Sequence, residues 1–383
     1  MDLSFSPEDL AFRDEVRAFL KAELPADLRR RVAEGRAIGR DDLVRWQRVL
    51  NARGWATPSW PTAWGGPGWS AVQRHIFLDE LHSAPAPEPL SFNVSMLGPV
   101  LIEYGSEDQK RRFLPRAANL DDWWAQGFSE PGAGSDLAAL RTTAVRDGDH
   151  YVVNGQKLWQ GMAQHADWMF TLVRTDPTAP KRQMGITFLL IDLRSAGVTI
   201  RPIITIDGRH EVNEVFLDEV RVPVENRVGY ENQGWTYAKY LLSNERTGIA
   251  RLGMTKRLIA RAKACAAVLS AGDRRKVLEK AAALEAGVRV LEITQLRILA
   301  GQTPGQTDPR SSILKLKGVE LRQAASELLL RATGPAGRAF AYEGQGEAPH
   351  EAASNFLTLR AASIYGGASE VQKTILAKSV LGL

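Results

Sequence analysis

The feature that most constrains this chain is a change of period along its length. In the first third, apolar residues recur at helical spacing, as in Phe12, Val16, Phe19 and Leu20, and a turn of 3.6 residues gathers such positions onto one face. From about Asp121 to Gly229 the alternation is every second residue, the pattern of half-buried strands. Helical spacing then returns, around Thr236 to Ser270, Lys276 to Ala300, Ser312 to Ala332, Glu351 to Ser363 and Ser369 to Val380. Blocks of helix, strand and helix without an internal repeat predict an α+β protein with segregated units. The boundaries read as a helical unit over 1–120, a β unit over 121–229 and a second helical unit over 230–383.

Local signals agree with this division. Ser6-Pro7-Glu8-Asp9 offers a capping hydroxyl, a proline at the first helical position and acids facing the positive end of the helix dipole. After a Pro- and Gly-rich break at Trp60 to Gly68, helices are expected from about Ala71 to Ala117. In the β unit, Asp147-Gly148 reads as a hairpin turn between Arg141–Arg146 and Tyr151–Val153, and Asn154-Gly155 as a second turn before Gln156–Gln160. Further strands are expected at Trp168–Arg174, Ile186–Leu193, Val198–Ile206 and Val215–Val222, giving an antiparallel sheet. Gly301 to Arg310 and Gly334 to Gly346 read as mobile connections.

Composition narrows the function classes. With 383 residues, 44% of them apolar, the chain can bury a sizeable core. No apolar run approaches the roughly 18 residues of a membrane span, and Met1-Asp2-Leu3-Ser4 does not open a basic-then-apolar leader. The expectation is a cytoplasmic enzyme without membrane insertion. Cys265 is the single cysteine, which excludes an intramolecular disulfide and a thiolate metal cluster, so redox chemistry requires a bound cofactor. A net charge of +5 without a block of Lys or Arg suits small anionic ligands and argues against nucleic acid.

Three segments could carry chemistry. In Phe128-Ser129-Glu130-Pro131-Gly132-Ala133-Gly134-Ser135-Asp136, small residues let backbone N–H groups approach an oxygen-rich ligand, although an ordinary surface loop would look the same. Trp159, in Asn154-Gly155-Gln156-Lys157-Leu158-Trp159-Gln160, would be a flat apolar wall for an aromatic ring system, or simply a core residue. Glu245, in Leu241-Leu242-Ser243-Asn244-Glu245-Arg246, has Leu241, Leu242, Ile249 and Leu252 at helical neighbour positions. A carboxylate on that apolar stripe would have a raised pKa and serve as a base near neutrality; a salt bridge to Arg246 is the structural alternative.

Taken together, these segments resemble the acyl-CoA dehydrogenase family along nearly the whole chain. The Ser129–Asp136 loop, the Asn154–Trp159 strand and the terminal Ile364-Tyr365-Gly366-Gly367-Ala368-Ser369-Glu370-Val371-Gln372 carry the likeness in order and spacing, and Phe216–Pro223 adds a fourth match. The resemblance implies an N-terminal helical domain, a central antiparallel β barrel and a C-terminal four-helix bundle, with FAD between the last two and against a neighbouring subunit. It implies that Ser129 and the backbone near Gln126 and Phe128 meet the flavin pyrimidine edge and that Trp159 lies against the ring. It further implies that Ser135 touches the pantetheine or phosphate part of CoA, that Leu242 and Arg246 border the acyl-CoA substrate, and that Gly334, Ala368 and Glu370 belong to FAD-binding segments.

Three departures from the family pattern matter. Where members usually carry a Thr or Ser that bonds flavin N5, this chain has Gly161. Where many carry the catalytic Glu after the terminal Tyr, it has Gly366, and Glu245-Arg246 matches the branch that supplies the base from the first helix of the C-terminal bundle. The Arg-x-x-Phe-Gly segment expected near Ala264 to Lys276 is missing, and a later Gln-x-x-Gly-Gly segment is reduced to Thr333-Gly334-Pro335. These losses resemble heterotetrameric members whose related subunits share flavins. The implied reaction is α,β-dehydrogenation of an acyl-CoA thioester by a homo- or heterotetramer, with electrons leaving to an electron-transfer flavoprotein. A flavin monooxygenase on the same scaffold and a non-catalytic subunit are the competing readings.

Overall fold

The computed structural model describes residues 5–245, 250–301, 308–339 and 351–383. Six helices open the chain: α1 (Pro7–Glu23), α2 (Ala26–Glu34), α3 (Arg40–Ala52), α4 (Ala71–Ser83), α5 (Gly98–Tyr104) and α6 (Glu107–Ala118). α1 starts where the sequence places it, with Ser6 Oγ accepting the Asp9 N–H at 3.1 Å. Reciprocal capping boxes, Ser70 with Gln73 and Ser106 with Gln109, start α4 and α6. The predicted stripe of Phe12, Val16 and Leu20 is buried against Trp46, Trp55 and Phe77. A π-helical turn, Phe92–Leu97, runs directly into α5; such turns recur at functional sites.

Seven strands follow: β1 (Trp124–Gly127), β2 (Thr143–Asp147), β3 (His150–Gly161), β4 (Trp168–Arg174), β5 (Ile186–Asp192), β6 (Val198–Ile204) and β7 (His210–Pro223). The hairpin at Asp147-Gly148 forms as expected, pairing Asp147 with His150. The expected second turn does not. Asn154 and Gly155 lie inside the continuous β3, at a bulge against β7. Glycine is required there because a Cβ would fall 2.7 Å from Thr142 Cα.

The antiparallel barrel is corrected as well. The sheet runs β1-β4-β2-β3-β7-β6 with β5 on the other side of β4, and no bridge between β5 and β6 closes it among the described residues. β1 and β4 are parallel, Trp124 opposite Trp168, because the β2–β3 hairpin lies between them in sequence and returns the chain in its original direction. The result is a mixed half-barrel. α7 (Gly234–Glu245) packs along β5, where Gly234 approaches so closely that a Cβ would sit 2.7 Å from the Thr187 carbonyl carbon. Tyr237, Ala238 and Leu241 of this helix pack with Phe170 of β4 and with Ile186, Phe188 and Leu190 of β5.

The stretch predicted as one helix from Thr236 to Ser270 is two. α7 is described as far as Glu245, and α8 (Leu252–Cys265) starts after Arg251, whose φ of 47° breaks the helical path. The two halves belong to different cores. Tyr237, Ala238 and Leu241 of α7 are buried with Trp60, Leu97, Phe128 and Phe188. α8 packs with α9 (Ala271–Ala300) and α10 (Ser311–Ala332) through Leu252, Ile259, Leu284, Leu291, Leu314 and Leu328. Two short helices, α11 (Ala352–Thr358) and α12 (Ser369–Leu376), lie against α10. Among the described residues the C-terminal region thus holds three long helices, α8, α9 and α10, and two short ones, α11 and α12. The Gly301–Arg310 and Gly334–Gly346 connections lie largely outside the described residues. Among the described residues no helix is long and apolar enough to cross a membrane.

Candidate active site

Two elements recognised separately in the sequence are tied together at the end of β1. The Ser129 carbonyl accepts the Leu158 N–H at 2.9 Å and the Gln160 side-chain amide at 3.2 Å, binding the Ser129 loop to β3. Beneath this seam is a feature that sequence reasoning missed, a fully buried Lys157. Its Nζ lies 2.8 Å from Glu130 Oε1 and donates to the Leu172 carbonyl at 2.7 Å and the Phe128 carbonyl at 3.4 Å. Glu130 also accepts the backbone N–H groups of Arg141 at 2.6 Å and Thr142 at 3.0 Å. Burial alone would raise the Glu130 pKa, but Lys157 and these donors outweigh it and hold the carboxyl below its ordinary range. The visible signal was a lysine at an inward position of an alternating strand. Glu130 and Ala133 exchange backbone hydrogen bonds at 2.9 and 3.0 Å, so the loop is a tight turn with Gly132 and Gly134 exposed beside open space.

Trp159 is where this frame meets solvent. It occupies a second bulge of β3, between Leu158 and Gln160, with φ of 67°. A bulky side chain in the left-handed region is a backbone outlier held only when its surroundings over-determine it. Here the bulge turns the indole outward, leaving it 56% exposed. A core tryptophan is thereby excluded.

Gly161 has a structural partner. A Cβ there would lie 2.8 Å from Cζ of Phe92, the first residue of the π-helical turn. The place of the usual hydroxyl side chain is therefore taken by an aromatic ring from the N-terminal helices. Gln126 is half-buried on β1 opposite Phe170. Phe128 is buried, edge-on to Phe170 and Phe188 with ring centroids 5.9 and 6.2 Å away. Ser135 is exposed.

Leu242 packs on the core that buries Leu241, one turn before the end of α7. Glu245 is the last described residue of that helix; its side chain, and the whole of Arg246, lie outside the described residues. Leu252, taken from the sequence as its neighbour two turns on, belongs to α8 instead. Gly334 follows α10 with φ of 62°, Ala368 precedes α12, and Glu370 is exposed in its first turn. No hydrogen bond or ion pair among the described residues joins these three to the Ser129–Trp159 pair.

With this geometry in place, comparison with known proteins is specific. Three family profiles match in chain order: the acyl-CoA dehydrogenase N-terminal domain over residues 6–121, the middle domain over 125–220 and the C-terminal domain over 232–381. The acyl-CoA dehydrogenase IpdE1 of Mycobacterium tuberculosis is 35% identical over 384 aligned positions, covering 97% of each chain. The solved "Tcur3481-Tcur3483 steroid ACAD" superposes with a TM-score of 0.88 at 31% identity, over 100% of this chain and 99% of the other. A chain of the ChsE4-ChsE5 complex from Mycobacterium tuberculosis does so with a TM-score of 0.85 at 32% identity, over 100% and 99%. This chain belongs to the acyl-CoA dehydrogenase family.

Proposed function

We propose that this chain holds FAD between the Ser129 loop and Trp159 and catalyses α,β-dehydrogenation of an acyl-CoA thioester, with Glu245 as the base. The observation that carries the reading is Trp159, whose exposed indole is fixed on a strained bulge that is itself hydrogen-bonded to the Ser129 loop. An outward apolar plane, beside a turn whose two glycines leave open space, fits a flat ring system with polar edges. Bound there, FAD would supply the acceptor for the hydride leaving the β-carbon.

The remaining work falls to the protein. The α-proton of a thioester is weakly acidic, so its removal needs a placed base. Glu245 would take that proton on its carboxylate as the hydride departs from the neighbouring carbon, leaving the enoyl thioester. The buried Tyr237, Ala238 and Leu241 anchor α7 in the core that also contains Phe128, which supports a fixed position for the helix end relative to the cofactor wall. The apolar wall and the ring of Phe92 at Gly161 would keep water from the reacting atoms. An electron-transfer flavoprotein would receive the electrons. The likeness to two solved relatives whose names each give two proteins supports a heteromeric assembly in which a related subunit completes the cofactor site.

The test is Glu245→Gln. FAD content should be unchanged, and anaerobic flavin bleaching by acyl-CoA should slow by about two orders of magnitude or more. Bleaching at the full rate would put the base elsewhere.

A further inference from the structure

The connection between β4 and β5, residues 175–185, contains two prolines and few apolar side chains, so its shape must come from hydrogen bonds more than from burial. Thr178 braces its first turn, with its backbone N–H and its hydroxyl both donating to Asp176 Oδ1, at 2.8 and 2.7 Å. The neck closes where the Gly185 carbonyl accepts the N–H groups of Thr175 at 3.0 Å and Asp176 at 3.3 Å. Glycine is needed at 185 because a Cβ there would collide with the Asp176 carbonyl. Arg174, at the end of β4, joins this loop to the one that begins at Ser129. Its guanidinium donates to the Ala138 carbonyl at 2.7 Å, to the Leu140 carbonyl at 3.3 Å and to the Arg182 carbonyl. Desolvation pushes the Arg174 pKa down, and the three carbonyls offset part of the water it loses.

The two loops, fastened in this way, present charge to solvent. Lys181 and Arg182 are both exposed. The Arg182 side chain is directed at the Ser129 loop, with Nη1 3.6 Å from Asp136 Oδ2. Asp136 follows Gly134 and Ser135, which are exposed as well, and a Cβ added at Gly132 or Gly134 would meet nothing within 4 Å. A guanidinium one residue from an open surface of small residues, with an ammonium beside it in sequence, is suited to an oxygen-rich anion. The contact with Asp136 does not compete strongly. It is longer than a hydrogen bond and both side chains are about 70% exposed, so the pair is worth little and a multiply charged ligand can replace it.

We propose that Lys181 and Arg182 bind the phosphate groups of the CoA nucleotide, so that this chain selects the carrier of its acyl group. The inference rests on the dehydrogenase reading for the identity of the ligand, and its test is scored by binding so that the two can fail separately. On that reading the thioester belongs between Trp159 and Glu245. The pantetheine arm would cross the exposed glycines of the Ser129 loop, and the nucleotide would emerge where the two cations stand. Arg182 supplies a planar fork that matches a phosphate in two parallel hydrogen bonds, and Lys181 supplies a compact point charge.

The experiment uses the FAD-loaded protein, purified with any subunit that accompanies it. One 2,3-enoyl group, which cannot be dehydrogenated again at that position, is presented on CoA, on dephospho-CoA and on pantetheine, and each thioester is titrated calorimetrically at low ionic strength. The CoA thioester should bind about tenfold or more tighter than the pantetheine thioester, and the advantage should shrink as salt is added. Changing both cations together, Lys181→Met with Arg182→Met, should reduce the advantage to less than about threefold while FAD content and affinity for the pantetheine thioester stay unchanged. Both positions are exposed, so the fold should survive. Asp136→Asn, which removes the carboxylate facing Arg182, should widen the advantage. Dephospho-CoA divides the supporting outcome: binding as tight as CoA places the cations on the pyrophosphate, and binding as weak as pantetheine places them on the 3′-phosphate. Equal binding of the CoA and pantetheine thioesters by the wild type overturns the proposal, as does failure of all three to bind. An advantage that survives whole in the double variant overturns it too, and so does an equal loss of affinity for all three thioesters, because the cations would then serve the fold. Absence of bleaching by every saturated acyl-CoA would instead defeat the dehydrogenase reading, whatever the binding pattern.

Discussion

Replacing Lys157 by methionine isolates what holds the strand that carries Trp159 to the loop beside it. The side chain is fully buried, and its loss removes the ion pair to Glu130 at 2.8 Å and the hydrogen bond to the Leu172 carbonyl at 2.7 Å. Glu130, itself almost fully buried, keeps only the N–H groups of Arg141 and Thr142 among the partners described. Breaking a buried pair on one side typically costs about 3–5 kcal/mol, because the other charge is stranded. Lys157→Met should therefore lower the unfolding free energy by that amount in urea denaturation and release FAD, seen as a gain in flavin fluorescence. Adding Glu130→Gln removes the stranded charge, so the double variant should recover at least about 1.5 kcal/mol relative to the sum of the single changes. The pH dependence carries an opposite sign in the two proteins. In the wild type Glu130 is held below its ordinary value of 4.5, so its contribution is present above that value and is lost as pH falls below it. In Lys157→Met, burial is left to dominate and raises the Glu130 pKa, so the stability deficit should narrow as pH falls from 7 towards 4. Additivity of the two substitutions within about 0.5 kcal/mol, or a deficit that does not change with pH, would refute the reasoning.

Trp159→Asn should retain stability within about 1 kcal/mol, since asparagine tolerates the left-handed backbone and the indole is mostly exposed; FAD retention through gel filtration should nevertheless fall sharply, and full retention would remove the indole from the cofactor site. Gly161→Thr should destabilise the protein by about 1–3 kcal/mol through collision with Phe92, and Phe92→Leu should relieve much of that cost in thermal melts; no relief would mean that the ring is not what excludes a side chain there.

The architecture could be read from the sequence because local signals and global pattern agreed. Ser6, Ser70 and Ser106 cap helices that open where capping side chains stand, and β4 follows its apolar run from Trp168 to Arg174 residue for residue. What was misread depends on contacts distant in sequence. Asn154-Gly155 has turn chemistry, but Thr142 and β7 keep it within a continuous strand, at a bulge. Alternation cannot reveal strand direction, so the parallel pairing of β1 with β4 was invisible. The break at Arg251 escaped notice because Leu241, Leu242, Ile249 and Leu252 keep helical spacing across it. At the site, the Ser129 loop and Trp159 were found through their composition, whereas Lys157 and Phe92 acquire meaning only through partners on other elements.

The interruption between Glu245 and Leu252 divides responsibility for the reaction. The segment that carries the proposed proton acceptor is anchored among the rings surrounding the sheet, in company with Phe128 and Phe188, whereas Leu252 and Ile259 pack with α9 and α10. On the proposed reading, alignment for chemistry belongs to one packed body and the bundle helices form another. Repacking the bundle helices would then leave the spacing between Glu245 and Trp159 as it was.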